Sequence, residues 1–125
     1  MEEEIPKVIN HRYELEQKLG QGTLGIAYSA WDNVEQRRVA LKIIHREAIR
    51  RDMLGYLKFE FQAMSRLRHP NIIRVYDFDQ ISGTPMRFFT CEYVPGTDFV
   101  KATQELPWDE WYPLVVQACR ALEFI

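Results

Sequence analysis

Three glycines in six positions, Gly20-Gln21-Gly22-Thr23-Leu24-Gly25, join two stretches that alternate apolar and polar residues. Glycine has no Cβ, so such a run turns tightly and lets the backbone approach phosphate oxygens. Tyr13, Leu15 and Lys18-Leu19 alternate before it, and Ile26-Ala27-Tyr28-Ser29-Ala30-Trp31 alternates after it. The run therefore reads as the turn of a β-hairpin. A dinucleotide-binding crossover needs a helix after its glycines, and a P-loop needs Gly-Lys-Ser/Thr; neither follows here. A glycine-rich hairpin turn with no ligand also satisfies this segment taken alone.

Seventeen positions after Gly25, Lys42 lies inside Val39-Ala40-Leu41-Lys42-Ile43-Ile44. On a strand, Ala40, Lys42 and Ile44 share one face while Leu41 and Ile43 point the other way. A cation among apolar neighbours is costly without an anionic partner, unless its long stem carries it to water at an edge. Glu60 falls among Leu57, Phe61, Met64 and Leu67, the apolar stripe of a helix expected from about 53 to 68. A carboxylate in an apolar stripe also needs a partner, although a stripe-edge glutamate reaches solvent. Lys42 and Glu60 satisfy each other most simply, giving an inward ammonium–carboxylate contact between sheet and helix.

The 125 residues are enough for one compact domain, burying roughly two-thirds of its unfolded surface. With 46% apolar residues, disorder is excluded, and a net charge of −2 argues against a general nucleic-acid binder. Arg46, Arg50, Arg51, Arg66, Arg68 and Arg74 cluster locally and read as a solvated helix face. Cys91 and Cys119 sit in apolar contexts and are expected to be reduced. Met1-Glu2-Glu3-Glu4 is acidic where a signal peptide is basic, and no run approaches a membrane span, so a cytoplasmic protein is expected. His11, His45 and His69 have no cysteine at zinc spacing and no nucleophile in a recognisable motif, so no metal site is expected.

The expected order is three strands, a helix, two strands and a final helix. The third strand spans 38–45. His69-Pro70-Asn71 ends the first helix. Strands follow at 72–78 and 87–94, joined by Ile81-Ser82-Gly83-Thr84-Pro85. Pro95-Gly96 breaks the chain, and a helix apolar on most of its circumference fills 114–125, with Pro113 in its first turn. Such a helix expects cover on several sides, and self-association through it is expected where that cover is absent.

Leu19-Gly20-Gln21-Gly22-Thr23-Leu24-Gly25, Val39-Ala40-Leu41-Lys42, Glu60 and His69-Pro70-Asn71-Ile72, in this order and spacing, resemble the amino-terminal lobe of a eukaryotic-type serine/threonine protein kinase. The segments around Arg68-His69-Pro70-Asn71 and Phe88-Phe89-Thr90-Cys91-Glu92-Tyr93 look most like bacterial members. The resemblance implies an α+β fold: a five-stranded antiparallel sheet with one regulatory helix, then a hinge and the first helix of a second lobe. It divides the chain into a polar lead-in (1–11), the lobe (12–94) and the hinge exit (95–125).

The resemblance also implies roles. Gly20, Gln21, Gly22, Thr23 and Gly25 would cover the phosphates of ATP, and Lys42, held by Glu60, would contact the α- and β-phosphates. Leu19, Ala27 and Ala40 would roof the adenine, and Cys91 would guard the back of the pocket. The Glu92 carbonyl and the Val94 amide would bind the adenine edge. Asp98 would meet the ribose, although an N-cap for a short helix at 98–102 explains it equally. Ala27 replaces a usual valine and Leu24 a frequent aromatic. The family's His-Arg-Asp loop and its magnesium-binding Asp-Phe-Gly segment do not occur in this sequence. The expectation is thus a parent kinase that phosphorylates protein hydroxyls from ATP and Mg²⁺, with this chain inactive alone. A pseudokinase or interaction scaffold is the alternative.

Overall fold

The computed structural model describes residues 5–46 and 54–125. Met1–Glu4, Arg50, Arg51 and the expected helix start at Met53 lie outside the described residues. Six strands form one antiparallel sheet: β1 (Val8–Ile9), β2 (Tyr13–Gln21), β3 (Gly25–Asp32), β4 (Arg37–Ile44), β5 (Val75–Gln80) and β6 (Arg87–Glu92). Their order across the sheet is β1-β2-β3-β4-β6-β5. The helices are α1 (Leu54–Ser65), α2 (Phe99–Thr103) and α3 (Trp108–Phe124).

The five expected strands are present, and the lead-in adds a sixth. Val8 pairs with Glu14 and Ile9 with Tyr13, and Ile9 is fully buried. The chain reverses between β1 and β2 through Asn10 (φ 54°) and His11 (φ 55°), in the left-handed region that asparagine tolerates. The Asn10 amide is well used there. Its Nδ2 donates to the Gln80 carbonyl at 2.8 Å, and its Oδ1 accepts from the Ser82 amide at 2.8 Å. The turn is thereby tied to the β5–β6 loop.

The core sits on the sheet face away from Lys42. Leu41, Ile43, Val39 and Ala30 project there, with Phe88, Tyr13, Ile9, Ile81 and Met86 packed against them. Phe88 and Leu41 are 1% and 0% exposed, so each contributes on the order of 1.5–3 kcal/mol of burial. The Tyr13 ring meets Phe88 edge-on, with centroids 5.7 Å apart. Beside this core, Asp32 is buried and takes both arms of the Arg12 guanidinium at 2.8 Å.

Several boundaries differ from expectation: α1 ends at Ser65 rather than near 68, β6 ends at Glu92 rather than 94, and two starts move further. The strand expected from Ile72 begins at Val75, because 69–72 close a turn of their own. The Ile72 amide donates to the His69 carbonyl, and the Asn71 amide donates to the His69 ring Nδ1. Helix α3 begins at Trp108 rather than after Tyr112. Trp108 meets Trp111 edge-on and stacks on Tyr112 (centroids 4.4 and 5.7 Å), and these contacts extend the helix a turn ahead of Pro113. Along α3 only Ala121 is buried; Leu114, Val115, Val116, Leu122 and Phe124 are exposed. Among the described residues, no helix is long and apolar enough to cross a membrane.

Candidate nucleotide-binding face

One row of cross-strand partners organises the face opposite the core. Gly20 on β2 faces Ala27 on β3, Ala27 faces Lys42 on β4, Lys42 faces Phe89 on β6, and Phe89 faces Phe78 on β5. The row places a glycine at one end, a cation at its centre and two aromatic rings at the other end. A second row runs Gln17, Ser29, Ala40, Cys91, Val75. Ala27 and Ala40, both half-buried, leave a shallow shelf of small side chains between the glycine hairpin and the strand that leads to Glu92.

The hairpin over this shelf is folded rather than open. The Gly22 amide donates to the Gly25 carbonyl at 2.9 Å, and the His45 amide donates to the Leu24 carbonyl at 2.8 Å. The His45 ring Nε2 lies 3.0 Å from the Gly22 carbonyl and must donate, because a carbonyl only accepts. Lys18 donates to the Gln21 side-chain oxygen at 2.9 Å. Leu19 is the extra residue of a bulge between Lys18 and Gly20, and is 46% exposed. The glycines divide into two kinds. A Cβ on Gly20 or Gly22 would meet nothing within 4 Å, whereas one on Gly25 would lie 1.9 Å from the Ile43 carbonyl oxygen. The sheet itself requires glycine at 25; open space above the shelf surrounds 20 and 22. Thr23 is exposed beside them.

Lys42 is half-buried, but the expected contact with Glu60 is not made. Glu60 is exposed, and among the described residues no ion pair joins it to Lys42. The reason is the neighbouring side chain. Phe61 turns onto the sheet, its ring 5.6 Å from Phe78 and 6.4 Å from Phe89. Successive helical residues point about 100° apart, so seating Phe61 turns Glu60 outward. Leu57 and Leu67 are half-buried as expected, while Met64 is 42% exposed. The helix is docked on β5 with the aromatic wedge, and not the carboxylate, facing the lysine row.

Electrostatics around the shelf are mild. Burial pushes the Cys91 thiol above its usual range, the Glu92 charge adds to that, and the nearby Lys42 ammonium pulls back. A neutral thiol thus stands beside the lysine. Glu92 is fixed to the strand before it: its amide donates to the Arg74 carbonyl at 2.8 Å, and its carboxylate accepts from the Arg74 amide at 3.3 Å. Val94 is 56% exposed, and among the described residues its amide donates to no backbone carbonyl. Asp98 caps α2, accepting from the Lys101 amide at 2.9 Å. Of the two readings of Asp98, the N-cap is the one whose hydrogen bond is present.

The face thus gathers Gly20, Ala27, Ala40, Lys42 and Cys91, with Glu92 and Val94 at its exit, and leaves Glu60 outside. Phe89, Phe78 and the His45 tie were not singled out from the sequence. Strand alternation would have found Phe89 once β4 and β6 were known to be neighbours; no local signal points to His45. A cavity of about 530 Å³ lies elsewhere. It lies over the core face, lined by Ile5, Tyr28, Ile43 and Met86 among others.

A glycine hairpin, a central strand lysine and one helix laid across the far strands of an antiparallel sheet define the amino-terminal lobe of the protein-kinase fold. The protein kinase domain family matches residues 13–125. The chain is 35% identical over 126 aligned residues to serine/threonine-protein kinase PknB of Mycobacterium leprae, covering 95% of this chain and 20% of that protein. It is 30% identical to serine/threonine-protein kinase PksC of Streptomyces coelicolor (90% of this chain, 22% of that protein). It is likewise 30% identical to CBL-interacting serine/threonine-protein kinase 2 of Arabidopsis thaliana (90% and 26%). The chain belongs to the protein kinase family, and spans about a fifth to a quarter of the length of these relatives.

The shelf fits a nucleoside triphosphate on three counts. Among the described residues, Lys42 is a half-buried cation with no carboxylate partner and the Val94 amide is an unused donor where the shelf ends, while Gly20 and Gly22 leave open space at the hairpin.

Proposed function

We propose that this chain is the ATP-binding lobe of a serine/threonine protein kinase whose full-length form transfers phosphate to protein hydroxyls. The observation that carries this reading is Lys42, which has no ion-pair partner among the described residues, at the centre of the row from Gly20 to Phe78. Among the described residues no carboxylate pairs with that ammonium, and a phosphate oxygen is an anion that the glycine hairpin can bring to it. Bound ATP supplies the phosphoryl group. The chain's own residues bind and orient: Gly20 and Gly22 let the hairpin backbone approach the phosphates, and Lys42 holds the α- and β-oxygens. Ala27 and Ala40 leave room for a planar base, and the Val94 amide and Glu92 carbonyl meet its edge. By the family resemblance, Gln21 and Thr23 would cover the phosphates, Leu19 would roof the adenine and Asp98 would meet the ribose.

Magnesium ligation and acceptance of the hydroxyl proton need carboxylates in His-Arg-Asp and Asp-Phe-Gly contexts, which these 125 residues do not contain. The chain alone therefore binds ATP without transferring phosphate. The outward Glu60 favours a second reading, a scaffold that uses the lobe for interaction. Calorimetric titration with ATP separates the two. Saturable binding that weakens at least about tenfold in Lys42→Met supports the nucleotide lobe, and absence of binding supports the scaffold. Phosphate incorporation by the 125-residue chain would refute the claim that it is inactive alone. The exposed apolar residues of α3 are the proposed surface for self-association of the chain; light scattering should show dimers, and a monomer at high concentration would exclude them.

A further inference from the structure

Arg87 carries the one buried side-chain nitrogen among the described residues that lacks a hydrogen-bond partner, its Nη1. A guanidinium arm removed from water without an acceptor is costly, so the position points to an anion that belongs there. The surroundings agree. Arg87 pairs across the strands with Gln80, two positions along from the Phe78–Phe89 pair, and so shares their face. Lys58 lies three positions before Phe61 on α1, on the same side of the helix. Lys58, Phe78, Asp79, Gln80 and Arg87 line a solvent-open cavity of about 150 Å³ between helix and sheet edge. At roughly 30 Å³ per water it has room for about five waters, or for one oxyanion of five heavy atoms.

Asp79, the acidic residue of this lining, is not paired with either cation. Asp79 is exposed, alternates to the other face opposite Phe88, and accepts from the Gln80 amide at 2.7 Å. The Gln80 side-chain amide donates to the Thr84 carbonyl, which leaves the two cations as the charged donors of the cavity.

We infer that Lys58 and Arg87 form a phosphate-monoester site, distinct from the Lys42 shelf, that clasps helix α1 to strand β6 when filled. A dianion suits two converging cations, and the planar guanidinium gives it directional donors. Because one ligand sits on α1 and the other on the sheet, occupancy restrains the helix that carries Glu60. The site stands whether or not the shelf binds ATP.

The test is a calorimetric titration of the 125-residue chain with inorganic phosphate and, separately, O-phosphoserine, with acetate as the monovalent control. Both phosphates should bind saturably and more tightly than acetate. A stronger response to O-phosphoserine identifies a phosphorylated side chain as the source, and an equal response identifies free phosphate; both support the site. Affinity should fall about tenfold or more in Arg87→Met and several-fold in Lys58→Met, and stay unchanged in Lys101→Met, whose ammonium is exposed and remote in sequence. Without phosphate, Arg87→Met should melt no lower than the parent, since it removes an unsatisfied donor. If Arg87→Met does not fold, Lys58→Met alone decides. Absence of saturable phosphate binding, or undiminished binding in the variants, overturns the site.

Discussion

Arg12→Met tests the most tightly bonded polar contact of the lobe. Arg12 Nε and Nη2 each donate to an Asp32 carboxylate oxygen at 2.8 Å, and the Asp32 side chain is 2% exposed. The guanidinium also lies 4.8 Å from the centre of the Tyr13 ring and 3.6 Å from Asp77. Each charge-assisted hydrogen bond contributes about 1.5–3 kcal/mol, and breaking a buried pair costs about 3–5 kcal/mol. Two features place this case at the lower end. The Arg12 side chain is 28% exposed, and Asp32 keeps the Val34 and Glu35 amides at 3.0 and 3.3 Å. The expected loss is about 3 kcal/mol, a fall in Tm of about 12 °C for a domain of this size. Urea and thermal denaturation followed by circular dichroism measure it. The pH dependence adds a second readout. The Arg12 hydrogen bonds hold the Asp32 carboxyl below its ordinary value. The wild-type chain therefore keeps this stabilisation above the unfolded carboxyl range and loses it as pH falls through the depressed folded value. The gap between wild type and variant should close in acid. A loss under about 1 kcal/mol at neutral pH, or a gap independent of pH, would show that the pair is screened like a surface contact and refute the reasoning.

The glycines offer a contrast within one loop. Gly25→Ala drives a Cβ into the Ile43 carbonyl and should lower Tm sharply, by about 2 kcal/mol or more. Gly22→Ala meets open space and should melt within about 0.5 kcal/mol of the parent, its effect confined to ATP affinity. Equal melting losses in the two variants would mean that the hairpin is not held against β4 as described.

Much of the lobe is legible because its signals are local. Period-two alternation on both sides of the glycines locates β2 and β3, and the branched run from Val39 to Ile44 locates a central strand. The same alternation separates Lys42 from Leu41 and Ile43, and the core forms on the face of the latter two. The two-residue β1 is too short to display a period, and the burial of Ile9 depends on Asn10 reaching Gln80 and Ser82, seventy positions and more away. Glu60 shows the limit of a helical stripe. Leu57, Phe61 and Leu67 fix its centre, but a residue at the stripe's margin faces inward or outward according to which ring seats first. Phe61 meets Phe78 and Phe89, and that triple contact joins three elements that no local window spans. The same holds for Arg87 and Lys58, whose proximity arises only when α1 lies across the β5–β6 edge.

The central claim is that ATP lies on the Lys42 shelf and not in the cavity over the core face. Backbone amide NMR during ATP titration tests it directly. Saturable shifts should appear at Gly20, Gly22, Lys42 and Val94, weaken at least about tenfold in affinity in Lys42→Met, and leave Tyr28 and Met86 unmoved. Because no carboxylate among the described residues pairs with Lys42, that variant should melt close to the parent. Shifts centred on Tyr28 and Met86, or ATP affinity indifferent to Lys42→Met, would contradict the claim.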